Sequence, residues 1–148
     1  PKDLQSCLQI TYMNEAHLTS WPKFTLVLMA EALYSSKNFS ENYTATMMQA
    51  GEFAPTPHSK LMYNEAFRAN QYVAAGIKPI YVLNDMFQFR TEFYGFTPIF
   101  PIKKNALNKA YYGKAFSRFE YMGEVSVICH LPFGAISAYV NHYSSPRR

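Results

Sequence analysis

The longest part of the chain without a charged side chain begins at Val125, and its polar and apolar pattern is compatible with two different elements. Read as a helix, the 19 residues of Val125–Tyr143 would be about 28 Å long, which is close to the thickness of a bilayer's hydrocarbon core. The proline within the stretch, Pro132, is tolerated in membrane helices when a neighbouring hydroxyl satisfies the freed carbonyl. We therefore predict a single membrane-spanning helix here.

A β-hairpin is the alternative for the same residues. Apolar and polar side chains alternate along Ala135–Tyr143, which is typical of a half-buried strand. Val125–Leu131 would be the partner strand, and Leu-Pro-Phe-Gly contains ordinary turn residues. The basic segment that precedes Val125 favours the membrane helix over the hairpin.

Helical spacing and capping residues predict further helices in the first two thirds of the chain. Asp3 is a candidate N-cap of a helix that runs to about Leu18, and Ser40 is a candidate N-cap of a helix that stops at Gly51. The nearly continuous apolar run Phe24–Tyr34 predicts a buried helix, since it is too short to cross a bilayer.

Two more helices are predicted beyond residue 55. Apolar residues recur at helical spacing between about residues 59 and 76, and Gly76 ends that pattern. From Ile80 to about Phe93 the apolar residues would cover most of a helix's circumference, which is typical of a buried helix. Tyr94–Ile102 contains two prolines and is predicted to be extended.

From residue 103 the pattern predicts a basic amphipathic helix. Leu107, Tyr111, Ala115, Phe119 and Met122 would form its apolar stripe. Its five positive charges are candidate lipid or anion contacts: Lys103, Lys104, Lys109, Lys114 and Arg118. Only Arg147 and Arg148 follow the uncharged stretch, so the positive-inside tendency places the N-terminal 120 or so residues on the matrix side.

The predicted fold is mainly α, with several amphipathic helices and one C-terminal candidate transmembrane helix. It has two regions, a helical, aromatic-rich peripheral region (1–102) and a basic helix with the candidate span (103–148). The alternative is an α+β domain with a C-terminal β-hairpin.

Composition favours a chain with partners. Charged residues make up only 16% of the sequence, whereas 12 Tyr and 12 Phe bring aromatics to 17%. Aromatic enrichment with few charges is typical of interface cores and of membrane-facing surfaces. The net charge of +4 is compatible with anionic lipid or RNA. The chain starts Pro-Lys-Asp-Leu-Gln, which has no secretory signal pattern.

Motifs for catalysis are missing from the sequence. It contains no GxGxxG, GxxxxGK[ST], GxSxG or HExxH pattern, and its two cysteines, Cys7 and Cys129, form no CxxC pair. Cys129 and His130 are adjacent, so their side chains point in different directions on a helix or a strand. We therefore predict no enzyme activity, no cofactor and no metal site.

The segment Ala110-Tyr111-Tyr112-Gly113-Lys114, followed by Val125–Tyr143, resembles the small single-span accessory subunits of mitochondrial inner-membrane complexes. The pattern is similar to that of subunit f of the ATP synthase membrane sector, whose Tyr-rich basic segment also precedes one span. The resemblance covers about a third of the chain and carries no diagnostic motif. It implies a structural role in a membrane sector, with no catalytic residue.

These observations predict a non-catalytic accessory subunit of an energy-converting complex of the mitochondrial inner membrane, either ATP synthase or a respiratory complex. Its partners would be other subunits of that complex and phospholipid headgroups. The alternative is an RNA-associated or mitochondrial ribosomal accessory protein. In that alternative, aromatic residues interleaved with the five basic residues would stack on bases while the charges contact phosphates.

Overall fold

A computed structural model describes residues 7–145 of the chain. That part is mostly β-structure. Its strands and its one α-helix are, in chain order, β1 (Gln9–Trp21), β2 (Phe24–Ser35), α1 (Tyr43–Gln49), β3 (Gly51–Glu52), β4 (Arg68–Ala69), β5 (Gln71–Val82), β6 (Phe87–Pro98), β7 (Ile102–Lys104), β8 (Ala110–Tyr112), β9 (Glu120–Leu131) and β10 (Gly134–Tyr143). Two single turns of 3-10 helix, Ser59–Leu61 and Glu65–Phe67, lie between β3 and β4.

Six long antiparallel strands form one sheet in the order β1-β2-β5-β6-β9-β10. They are three hairpins side by side, β1–β2, β5–β6 and β9–β10. Because neighbouring hairpins are also antiparallel, the three hairpin tips lie at the same end of the sheet. We call this the tip end and the opposite end the base end.

Two excursions leave the sheet at the base end. The first, residues 36–70, contains α1 and the short β3–β4 pair, and the second, residues 99–119, contains the β7–β8 pair. The main core lies between the first excursion and one face of the sheet, where the ring of Phe53 is 5.8 Å from that of Phe96. Its buried residues are Met29, Leu33, Phe53, Ala66, Phe67, Ala69, Tyr72, Ala74, Tyr94, Phe96 and Met122.

The prediction of a mainly α fold is therefore wrong. The helix predicted from Ile80 to Phe93 is replaced by the end of β5, a tip and the start of β6. Phe87, Phe89 and Phe93 are all at odd positions, so in a strand they share one face. If Ile80–Phe93 were a helix, these residues and those of the hairpin tip would cover most of its circumference. The pattern therefore indicated a buried helix.

The helices predicted over Phe24–Tyr34 and residues 59–76 are also wrong. The first is β2, whose side chains are apolar on both faces, so the alternation that identifies a strand is hidden. The second is divided between a loop with the two 3-10 turns, β4 and the start of β5. The helix predicted as far as Leu18 is β1 from Gln9 onward, whereas its proposed cap, Asp3, lies outside the described residues.

The prediction of a membrane-spanning helix is contradicted as well. Val125–Tyr143 is most of the β9–β10 hairpin, the element proposed as the alternative, and its tip is Pro132-Phe133. Gly134 follows with φ 154°, a backbone conformation that glycine adopts without strain. Among residues 7–145, no helix has the length and apolarity needed to cross a bilayer.

The basic helix predicted from residue 103 is absent too. Its residues form β7, a turn, β8, a loop and the start of β9. Tyr94–Ile102 was predicted to be extended, and Tyr94–Pro98 is indeed the end of β6. A short helix is present where one was predicted before Gly51, but the cap is Asn42, whose Oδ1 accepts a hydrogen bond from Ala45 N at 2.8 Å.

Candidate functional site

The strand register divides the side chains of the six-stranded sheet between two chemically different faces. Residues directly opposite each other in an antiparallel pair point to the same side, so the pairing assigns every strand position to a face. We call the face that packs on the core the inner face. The other, the uncharged face, includes Ile10, Tyr12, Asn14, Ala16, Trp21, Phe24, Leu26, Leu28, Ala30, Ala32, Tyr34, Gln71, Val73, Ala75, Ile77, Pro79, Tyr81, Phe87, Phe89, Thr91, Phe93, Gly95, Thr97, Tyr121, Gly123, Val125, Val127, Cys129, Ile136, Ala138, Val140 and His142.

All Asp, Glu, Lys and Arg residues of the six strands belong to the inner face. They are Glu15, Glu31, Lys78, Arg90, Glu92, Glu120 and Glu124. An ordinary water-exposed sheet face carries polar and charged side chains, and its apolar side chains point into the core. Toward the tip end this sheet has the opposite arrangement. Its uncharged face is exposed and mostly apolar, and the charged side chains lie on the inner face.

Several inner-face charges are paired. Lys78 Nζ lies 3.1 Å from Glu15 Oε1, and Arg90 Nε lies 2.8 Å from Glu92 Oε1. The hydroxyl of Tyr94 donates to Glu92 Oε2 at 2.5 Å. Glu92 therefore has two partners within its own strand.

Glu124 lies directly opposite Glu92 in the β6–β9 pairing. Both side chains are buried, with 3% of Glu92 and 2% of Glu124 exposed. The salt bridge and the tyrosine hydroxyl belong to Glu92, so the two carboxyls have unequal surroundings. Burial, followed by the negative charge of Glu92, raises the pKa of Glu124, while a hydrogen bond with the Thr56 side chain acts in the opposite direction.

Aromatic side chains of the uncharged face are concentrated toward its two ends. Near the tip end these are Trp21, Phe24, Tyr81, Phe87 and Phe89, and near the base end they are Tyr12, Tyr34 and Tyr121. Mainly aliphatic and small side chains occupy the band between them, with Phe93 as its one aromatic ring, stacked on Tyr121. On the base-end side of this band, Ala30, Ala75 and Gly95 help to line an open groove of about 520 Å³.

The structure places the five predicted basic contacts in the second excursion. Lys103 and Lys104 are in β7, Lys109 precedes β8 and Lys114 follows it, and all four are exposed. None of these lysines takes part in a salt bridge recorded within residues 7–145. Arg118 differs, because its Nε lies 2.9 Å from Glu120 Oε1.

The turn that joins β7 to β8 is fixed by its own asparagines. Asn105 Oδ1 accepts hydrogen bonds from Leu107 N at 3.0 Å and Lys109 N at 2.8 Å, and Asn108 adopts a positive φ of 58°. Asn108 O accepts a hydrogen bond from Tyr43 N at 2.8 Å, which ties the turn to α1. The turn therefore holds Leu107, which is 78% exposed, at the apex between basic residues.

The half-buried Tyr43 supports this attachment. The Tyr43 hydroxyl donates a hydrogen bond to the Glu65 carboxylate. Burial, followed by this hydrogen bond, raises the pKa of Tyr43 well above its usual range, so the hydroxyl remains a donor at neutral pH. Tyr43 and Ala110 pack beside the small second core of Met47, Ala50 and Ile102.

The histidines and cysteines are dispersed. His58 Nδ1 lies 3.0 Å from the Tyr143 hydroxyl, whereas His130 points to the inner face and Cys129 to the uncharged face. Within residues 7–145, no three His, Cys, Asp or Glu side chains are grouped so that they could hold a metal ion.

The uncharged face was not identified from sequence, because it depends on the register of six strands. A local signal existed in F-Q-F-R-T-E-F at the start of β6, where Phe alternates with polar or charged residues.

No protein-family model, curated protein or solved structure matches the chain.

Proposed function

We propose that this chain is a non-catalytic, structural part of a membrane assembly, and that its six-stranded sheet contacts lipid acyl chains through the uncharged face. The observation that carries the proposal is the complete segregation of the strand charges to the inner face. In water, an exposed apolar face of this extent would promote association with other surfaces. In lipid, acyl chains would contact the same face, and no protein surface would be needed to bury it.

Strand length supports the proposal. A strand that crosses a bilayer needs about 9 to 11 residues when it is tilted. The six strands of the sheet have 10 to 13 residues. They also exceed the usual length of about 5 to 6 residues for strands of globular proteins.

The distribution of aromatics along the uncharged face is compatible with the same arrangement. Tyr and Trp favour the two membrane–water interfaces, where their rings are apolar and their polar atoms remain hydrated. Trp21 and Tyr81 lie near the tip end, and Tyr34 and Tyr121 near the base end. The aliphatic band between them would lie at the depth of the acyl chains.

The sheet edges indicate what the protein partners would be. Within the described residues, β1 pairs only with β2 and β10 only with β9. Unpaired backbone groups are costly in lipid, so each edge needs a further strand there. β10 also lacks the lysines and prolines that usually protect an edge strand from pairing. We therefore propose that the partners in the assembly contribute β-strands at these edges.

Mitochondrial localisation, the matrix-side orientation and membership of ATP synthase or a respiratory complex stay predictions. They depend partly on a membrane helix, and the residues that would form it are the β9–β10 hairpin.

Two adjacent residues of β10 test the proposal. Ala138 is on the uncharged face and Ser137 on the inner face, and both are exposed. Ala138→Arg should reduce the carbonate-resistant association of the chain with phosphatidylcholine vesicles, since an arginine at the lipid midplane costs about 2 to 4 kcal/mol. Ser137→Arg is the matched control and should leave the association close to that of the wild type.

Lipid contact predicts that the two variants associate with vesicles to different extents. If the face were a water-exposed surface, both substitutions would be tolerated equally. Equal association of the two variants, or a wild-type chain that does not associate with vesicles at all, would rule out lipid contact.

A further inference from the structure

The second excursion presents four exposed lysines, whereas its arginine, Arg118, is paired with Glu120. We define the basic segment as residues 102–119. Its lysines Lys103, Lys104, Lys109 and Lys114 are exposed and outside every recorded salt bridge of the described residues. Because a hairpin and its side-chain hydrogen bonds fix the backbone, the charges are held on a defined surface.

The basic segment continues directly into the uncharged face. Phe119, which is 63% exposed, packs against the sheet at Gly95, a residue of that face. A Cβ added to Gly95 would lie 3.1 Å from two atoms of the Phe119 ring. The positive charges are therefore connected to the base end of the proposed lipid-contacting surface.

The location of the basic segment at the base end would bring its lysines to the depth of the lipid phosphates. If the aliphatic band lies among acyl chains, the base end lies at headgroup depth, together with Tyr34 and Tyr121. Lysines near an anionic membrane surface are attracted by its negative potential. Leu107, which is exposed at the apex of the turn between Lys104 and Lys109, would add an apolar contact with the lipid.

We propose that the basic segment binds the phosphate groups of anionic lipids, so that it selects the lipid composition around the sheet. This inference rests on the proposed lipid contact of the uncharged face. RNA is the less favoured ligand, because the basic segment adjoins the uncharged face, whose aliphatic band provides a surface for acyl chains and no charge for a nucleic-acid backbone.

The test compares vesicles of phosphatidylcholine alone with vesicles that also contain phosphatidylglycerol. The wild-type chain should associate more tightly with the anionic vesicles, and the difference should shrink as salt rises. The double variant Lys104→Gln with Lys109→Gln should lose most of this difference, by about tenfold or more in partition coefficient. The control, Lys37→Gln with Lys60→Gln, removes the same charge from the first excursion, outside the basic segment and away from the tip end, and should retain the preference.

Two further arms identify the source of the phosphate. Sodium phosphate and sodium chloride at equal ionic strength should weaken the association equally if the ligand is a lipid surface. A specific effect of phosphate would assign the site to free phosphate and overturn the lipid assignment. An RNA oligonucleotide that binds the wild-type chain, and loses affinity only in the Lys104/Lys109 variant, would overturn it in favour of RNA.

The inference and the proposed function fail in different ways. Equal association of the wild-type chain with neutral and anionic vesicles would overturn the role of the basic segment and leave lipid contact standing. Absence of association with either vesicle would overturn both.

Discussion

The ring of Tyr94 lies directly over the backbone of Gly76, its partner in the β5–β6 pairing. A Cβ at position 76 would lie 2.0 Å from Cδ1 of that ring and 2.8 Å from the carbonyl oxygen of Phe93. Because Tyr94 belongs to the main core and also donates to Glu92, its position links the core to the charged part of the inner face. Glycine at position 76 is what allows the ring to lie there.

Gly76→Ala should therefore destabilise the fold. The added methyl group requires a shift of a buried ring and of the backbone, which costs about 1 to 3 kcal/mol. Unfolding by denaturant, monitored by circular dichroism, measures the change. Gly123→Ala is the matched control, since its Cβ would meet nothing closer than 3.6 Å. A loss of stability in the control as large as that in Gly76→Ala would contradict this explanation.

The two buried carboxyls should respond differently to the same substitution. Glu92→Gln removes the salt-bridge partner of Arg90 and weakens the hydrogen bond from Tyr94. We therefore expect the free energy of unfolding to fall by about 2 kcal/mol. Glu124→Gln removes a like charge opposite Glu92 and should be neutral or stabilising at neutral pH. Thermal unfolding of the two variants measures the difference, and a larger loss for Glu124→Gln would contradict the assigned pairing.

Trp21 is a natural probe of the tip end. It is the only tryptophan of the chain, it is 67% exposed, and its ring lies 5.9 Å from that of Phe24. If the tip end lies at a membrane interface, its fluorescence should shift to shorter wavelength when vesicles are added. Lipids brominated near the headgroup end of the acyl chain should quench it more strongly than lipids brominated near the chain terminus.

The other tips provide a control for this measurement. Phe133, at the tip of the β9–β10 hairpin, is 87% exposed and lies at the same end of the sheet. A chain with Trp21→Phe and Phe133→Trp should therefore show the same shift and the same quenching. A response at only one of the two tips would show that the tip end as a whole does not lie in the interface.

Local sequence determined some elements correctly. The helix before Gly51 is present, since its residues can close a turn and be capped within a few positions, although Asn42 and not Ser40 provides the cap. The C-terminal hairpin was already visible as the alternative, because Ala135–Tyr143 alternates at period two and Pro-Phe-Gly can turn the chain. The positive charges at residues 103–118 were also apparent from sequence, but not their arrangement on a hairpin.

The sequence by itself therefore determined a chain poor in charge and rich in aromatics, with an uncharged C-terminal stretch and a basic segment before it. Only the tertiary structure decided that β2 and β6 are strands, because a run that is apolar on both sides of a sheet satisfies helical spacing equally well. Only the register of six strands decided that charges as distant in sequence as Glu15 and Glu124 lie on one face. The physical reason is that a strand's side chains have two possible directions, and pairing with the neighbouring strands fixes which of the two meets the core.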